Sequence, residues 1–264
     1  MRDFSLGMLR ELLVTLRHEK YEIVPFETYW RDKSRLDAME KVVLLRHDVD
    51  RLPGTAQAVA TMEKEIGVRG TFFFRVKNWT MDLRVIEVIA VSGHEIGYHY
   101  ENLADAGGDP RRAKEILDEC LQKLRAHYPV VSASMHSRAL SKWDGRTFWD
   151  HYDLSEFGLL GECYRSIDHH RYMYIADSGR NWNADRNVVW DTVDGTPPPR
   201  FENGTRGLIR EIQAGQRVKT LQLLIHPNRW PDSLTGEVTQ YAADRLINLA
   251  KTGVRSYRRL FGSR

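Results

Sequence analysis

Four leucines, Leu9, Leu12, Leu13 and Leu16, recur at helical spacing near the start of the chain and predict an amphipathic helix laid on the body of the protein. The period then changes. Val42 to Leu45 form an unbroken apolar run, the pattern of a strand buried on both faces. Val59, Met62 and Ile66 mark one face of a helix that stops near Gly67. A second apolar run, "GTFFFRV" (70–76), precedes a helical segment, "MDLRVIEVIAVSG", ending at Gly93, and "HEIGYHYE" reads as a third strand. Asp109-Pro110 offers a capping side chain followed by proline at the first helical position. Ala113, Ile116, Leu117, Cys120, Leu121 and Leu124 follow on one face. "PVVSASMH" and "RYMYIAD" predict two more strands, and "TLQLLIHP" the last, before a closing helix around 238–251.

Strands alternating with helices predict βαβ units, a parallel sheet and a single α/β domain over 1–264, with 1–40 as a helical extension packed on it. "DGTPPPRFENGTRG" (194–207) reads as a long loop lining a site. Net charge is +3 and the basic residues are scattered, so no nucleic-acid partner is expected. No apolar run approaches the roughly 20 residues that span a bilayer. The first 20 residues lack the apolar core and cleavage site of a secretory signal, which predicts a cytoplasmic protein. Its two cysteines, Cys120 and Cys163, do not suggest a disulfide framework, and Cys120 falls on an apolar helix face.

The polar surprises sit at the C-terminal ends of the apolar runs. Asp48 and Asp50 end the first strand, His99 and Glu101 the third, His136 the fourth and His226 the last. In a parallel α/β barrel those ends share one rim, where active sites are built. Imidazole and carboxylate together form a ligand set for zinc or a similar divalent ion. Blander readings stand beside this one. Asp48 and Asp50 could cap a helix or pair with Arg46 or Arg51. His94, at the start of its strand, reads as structural, and His169 and His170 as a solvated turn. Trp143 and Trp230 fit either a site or the core.

The same segments resemble the polysaccharide deacetylase family of carbohydrate esterases. "LLRHDVD" stands where that family has its paired aspartates, "GTFFFRV" is similar to its second strand, "SGHEIGYHYENL" matches its "GHEIGxH" segment, and "LLIHP" (223–227) its late Leu-and-His motif. The resemblance covers about residues 40 to 230. It implies a distorted (β/α) barrel that removes acetyl groups from N-acetylated sugars with one divalent metal, zinc by preference. It also implies Asp48 as catalytic base, His226 as acid, and Asp50 and His99 as metal ligands. The family's second metal-binding histidine is replaced by Leu103, the aspartates are split by Val49, and "MHSRALSKWDG" stands in place of an Arg-Pro-Pro segment. His136 is therefore expected as the third ligand, with Glu101 as runner-up.

"ADSGRNW" (176–182) resembles the family's Asp-and-Trp motif. Asp177 and Arg180 are expected to orient the base or grip substrate, and Trp182 to stack on a sugar. Glu101, Trp143, Arg229 and Trp230 complete the expected substrate-binding set. The "HDVD" variant resembles a divergent branch found in bacterial surface-polysaccharide biosynthesis, as for lipopolysaccharide O-antigen or capsule. That implies an amino-sugar substrate linked to a nucleotide or lipid carrier. Two competing readings are a metal-independent amidohydrolase acting on a non-sugar amide or ureide, and a non-catalytic carbohydrate-binding barrel.

Overall fold

In the computed structural model, which describes residues 3–138, 141–182, 192–195, 197 and 200–233, the apolar runs become parallel strands. The chain opens with α1 (Leu6–His18), β1 (Glu22–Val24), α2 (Phe26–Arg31) and α3 (Lys33–Ala38). Next come β2 (Val42–Val49), α4 (Pro53–Glu65), β3 (Thr71–Phe74), α5 (Leu83–Val91) and β4 (Glu95–Tyr100). Then follow α6 (Asn102–Asp105), α7 (Pro110–Arg125), β5 (Ser132–Met135), β6 (Gly161–Glu162), β7 (Met173–Ala176), α8 (Gly204–Ala214) and β8 (Thr220–Ile225). The strands pair in the order β6-β5-β4-β3-β2-β8-β7, all parallel, and curl into a distorted (β/α) barrel.

All eight residues of β2 are buried, as the unbroken apolar run requires of a strand covered on both faces. Alternation along the strands sorts the side chains. Arg46 and Asp48 share one face of β2, while His47 on the other face meets Glu63 of α4 at 2.8 Å. Inside the barrel the packing is tight at Gly97. A Cβ there would lie 2.4 Å from the Phe73 ring, so only glycine lets Phe73 fill the interior. α7 starts as its sequence dictates: the Asp109 side chain accepts from the Arg111 and Arg112 amides at 2.9 and 3.4 Å, with Pro110 behind it. Ala113, Leu117, Leu121 and Leu124 form its buried stripe.

Residues 1–40 are more than a helical extension. β1 pairs with Val42–Leu44 at the start of β2, and β3 pairs with Arg46–Val49 at its end. The opposite edge of β2 belongs to β8, so β1 and β3 share one edge in succession. α2 closes the barrel floor: the Phe26 amide donates to Thr71 Oγ1 at 2.8 Å and the Glu27 amide to Glu95 Oε2 at 2.7 Å. The segment 194–207 is not wholly a loop, since α8 begins at Gly204. The expected closing helix around 238–251 lies outside the described residues. Cys120 and Cys163 are both free thiols. Among the described residues no helix is long and apolar enough to cross a membrane.

Candidate metal centre

Three strands deliver their terminal polar residues to one point on the rim. Asp50 follows β2, His99 lies near the end of β4 and His136 follows β5. One ligand atom from each falls within 4.8 Å of the other two. His99 Nε2 is 3.3 Å and His136 Nε2 3.5 Å from Asp50 Oδ1. Each imidazole is oriented through its other nitrogen. His99 Nδ1 donates to the Ser134 carbonyl at 2.9 Å, and His136 Nδ1 donates to Glu101 Oε2 at 3.1 Å. With Nδ1 carrying the proton, both Nε2 lone pairs face Asp50. Asp50 Oδ1 is buried and accepts no hydrogen bond. A buried carboxylate oxygen left unpaired between two imidazole lone pairs is costly in a metal-free protein and suits a divalent cation. These three residues fit zinc or a similar ion.

Without a metal ion the same groups charge one another, protons standing where the cation would. Burial pushes the Asp50 carboxyl up, but His136, His99 and His226 around it outweigh burial and hold it well below the usual carboxylate range. Burial pushes His99 down, yet Asp48 and Asp50 prevail and raise it. Glu101 is buried, which raises it, but His136 and Arg75 drive it far below its ordinary value.

Asp48 stands beside this centre with its Oδ2 3.4 Å from His99 Nε2. Arg46, two residues earlier on the same strand face, donates from Nε to Asp48 Oδ1 at 2.8 Å and from NH2 to Oδ2 at 2.7 Å. NH2 also reaches the Tyr164 hydroxyl at 3.1 Å. The ion pair considered from the sequence is therefore present, and it fixes the Asp48 carboxylate rather than drawing it away from the rim.

His226 faces Asp50 from β8, its Nε2 3.9 Å from Asp50 Oδ2. Its Nδ1 donates to Asp177 Oδ1 at 2.5 Å. Asp177 is a hub: Oδ2 also accepts from the His226 amide at 2.9 Å and Trp230 Nε1 at 2.7 Å, and Arg229 donates to Oδ1 at 2.9 Å. Burial raises the Asp177 carboxyl, but His226 and Arg229 overcome it and hold it low. The arrangement leaves His226 Nε2 directed into the site.

Several residues expected to bind substrate have other partners. Glu101 is buried; it receives Arg75 NH2 on both oxygens at 2.7 and 3.0 Å, lies 3.2 Å from Lys77 Nζ, and holds His136. Asp177 is fully buried in its hub. Trp182 and Trp230 are each 1% exposed and pack on each other and on Phe4, so neither offers a face to a sugar. Trp182 Nε1 donates to Thr205. Arg180 lies over the Phe4 ring, 5.3 Å from its centroid, and Arg229 lies against Asp177. Trp143 keeps 39% of its surface exposed and is the one member of the expected tryptophan set open to solvent. His169 is buried against Tyr174 rather than in a solvated turn, while His170 is exposed. Leu103 is buried on α6, and the third candidate ligand comes from β5 instead.

Two residues of the site carried no role in the sequence. Arg46 entered only as an ion-pair alternative, and Arg75 not at all. Both are arginines placed at or just beyond an apolar strand, an unfavourable place for a charge unless it meets a carboxylate there.

No family model and no curated protein matches the chain. Among solved structures it is similar to a CE4 esterase from Streptococcus mutans, with 15% identity and a TM-score of 0.46 over 89% of this chain and 88% of that one. It is also similar to the Streptococcus pyogenes deacetylase PplD in complex with acetate, with 15% identity, a TM-score of 0.41 and coverage of 59% and 70%. A third is the peptidoglycan deacetylase PdaC from Bacillus subtilis, with 14% identity, a TM-score of 0.39 and coverage of 82% and 86%. These are likenesses of fold.

Proposed function

We propose that this protein is a metal-dependent hydrolase that removes an N-acetyl or related acyl group from an amino sugar. The observation that carries the reading is the placement of two proton-handling groups beside one candidate metal centre. Asp48 Oδ2 lies 3.4 Å from His99 Nε2, and His226 Nε2 lies 3.9 Å from Asp50 Oδ2. Asp50, His99 and His136 would hold zinc or a similar ion, which when bound polarises the acyl carbonyl and acidifies water.

The chain's own residues then divide the work. Asp48, held by Arg46, accepts the proton of the attacking water. Water oxygen bonds to the acyl carbon, and the C–N bond breaks as His226 Nε2 passes a proton to the departing amine. Asp177 takes the His226 Nδ1 proton in a hydrogen bond and so keeps Nε2 as the nitrogen that serves the leaving group. The products are a carboxylate and a free amino sugar. We extend the reading to a sugar carried on a nucleotide or a lipid, and to bacterial surface-polysaccharide assembly, on the "HDVD" resemblance.

The test is amine and acetate release from nucleotide-linked and oligomeric N-acetyl sugars by zinc-loaded protein. Asp48→Asn and His226→Ala are each expected to lower kcat by about 10²-fold or more while zinc content holds. Activity confined to simple amides or ureides, or full activity without metal, overturns the reading. If Asp48→Asn empties the metal site while Asp50→Asn spares it, the two aspartates have exchanged roles.

A further inference from the structure

Among the described residues no aromatic ring packs on Trp79. It sits on the loop between β3 and α5, at the same rim as the metal centre, and is 60% exposed. One side of its ring is backed by the Arg75 guanidinium, 5.6 Å from the ring centroid. Arg75 is itself fastened to the site. It donates to both oxygens of Glu101 and, at 3.2 Å, to the carbonyl of Asp50. Glu101 in turn orients His136. The exposed indole is thus tied through one guanidinium to two of the three candidate metal ligands.

The loop that carries it is closed on itself. Thr80 Oγ1 donates to the Arg75 carbonyl at 2.8 Å, and the Met81 amide donates to the Lys77 carbonyl at 2.9 Å. On the loop after the neighbouring strand β2, Leu52 is 55% exposed and held at a φ of 52°. A left-handed conformation is strained for a residue with a branched apolar side chain, and here it presents that side chain to water just beyond Asp50. Two large apolar side chains, on the loops that follow the neighbouring strands β2 and β3, therefore face solvent.

We infer that Trp79 is the platform on which a sugar ring of the substrate stacks. A pyranose has an apolar face of C–H bonds that suits the indole face turned away from Arg75. The guanidinium behind the ring holds it in place by a cation–π contact. The inference rests on the proposed deacetylase reading and adds to Trp143 a second open aromatic surface, one fastened to the candidate metal ligands. Of the three tryptophans expected from the sequence, Trp182 and Trp230 are buried.

The experiment measures calorimetric binding of the N-acetylglucosamine trimer and of UDP-N-acetylglucosamine to zinc-loaded protein, together with KM and kcat for acetate release. Trp79→Ala is expected to weaken binding of at least one probe by about 3- to 10-fold, the range of a single aromatic stacking contact. KM should rise by a similar factor, with a smaller change in kcat. Trp79→Phe should recover most of the affinity. Leu83→Ala, an exposed apolar change near the same loop, should alter neither quantity. Equal affinity in Trp79→Ala and wild type, or no binding of either probe by wild type, overturns the platform. Trp79-dependent binding without acetate release leaves the platform standing and removes the deacetylase. Acetate release with an unchanged KM in Trp79→Ala does the reverse.

Discussion

Arg46 and Asp48, two residues apart on one face of β2, form a bidentate ion pair with contacts of 2.8 and 2.7 Å in a site where neither is more than 2% exposed. The pair does two things. It fixes the carboxylate rotamer beside His99, and it compensates a charge that the barrel interior could not otherwise hold. Arg46→Met leaves the Asp48 charge buried and unpaired, and is expected to lower unfolding free energy by about 3–5 kcal/mol. Adding Asp48→Asn should restore part of that loss, because no charge is then left alone. Urea unfolding of the two variants checks this. Additive losses would show that the pair is not coupled.

His136 depends on Glu101 in a different way. The carboxylate orients the imidazole through Nδ1, so removing it should loosen a candidate metal ligand without touching the ligand atoms. Glu101→Ala is expected to weaken zinc binding by about 10- to 100-fold, and Glu101→Gln by less, because an amide oxygen still accepts from Nδ1–H. Competition against a chromophoric chelator gives the affinities. Unchanged zinc affinity in Glu101→Ala would mean that Glu101 serves Arg75 and Lys77 alone.

The fold was legible where burial imposes a pattern. The apolar runs at 42–45, 70–76, 94–101 and 220–227 each fall on a strand, because a parallel strand covered on both faces has few polar positions to hide it, although β2 runs on to Val49. β1 and β6 have only three and two residues and carry no period of their own; their partners define them. α8 was obscured by the glycine- and proline-rich stretch that runs into it. Within the site, the strand-end position of Asp48, Asp50, His99, His136 and His226 was readable. The fate of the tryptophans was not. Trp182 and Trp230 are covered by each other and by Phe4, near the other end of the chain, a contact that local spacing does not encode. Trp79 passed unnoticed for the opposite reason, since an exposed loop residue leaves no periodic signal.

Asp177 separates orientation from metal binding. Four donors converge on its carboxylate, two of them from His226, and none of its contacts is to Asp50, His99 or His136. Asp177→Asn is therefore expected to lower kcat by about 10²-fold, because both carboxylate oxygens accept here and an amide has only one acceptor. Its NH2 group must face either the His226 amide and Trp230 or His226 Nδ1 and Arg229, and in the second case the imidazole tautomer is reversed. Zinc content should remain near that of wild type. A variant that loses metal along with activity would place Asp177 in the support of the centre rather than of His226.

At the floor of the barrel, Glu95 links stability to pH. Its carboxylate accepts from Thr71 Oγ1 at 2.5 Å, from the Glu27 amide at 2.7 Å and from Ser132 Oγ. Burial nevertheless dominates over these bonds and raises its pKa from 4.5 to about 7. A carboxyl raised on folding binds its proton more tightly in the folded chain. Its contribution to stability is therefore complete below about pH 4.5 and is lost as pH rises through 7. At ~1.4 kcal/mol per unit the loss is about 3 kcal/mol over that window. Glu95→Gln keeps an oxygen acceptor for the Glu27 amide and Thr71 but cannot ionise. Urea midpoints measured between pH 5 and 8 should fall more steeply for wild type than for Glu95→Gln, with the variant the more stable protein at pH 8. Parallel curves would mean that Glu95 is charged throughout the range and that its three hydrogen bonds outweigh its burial.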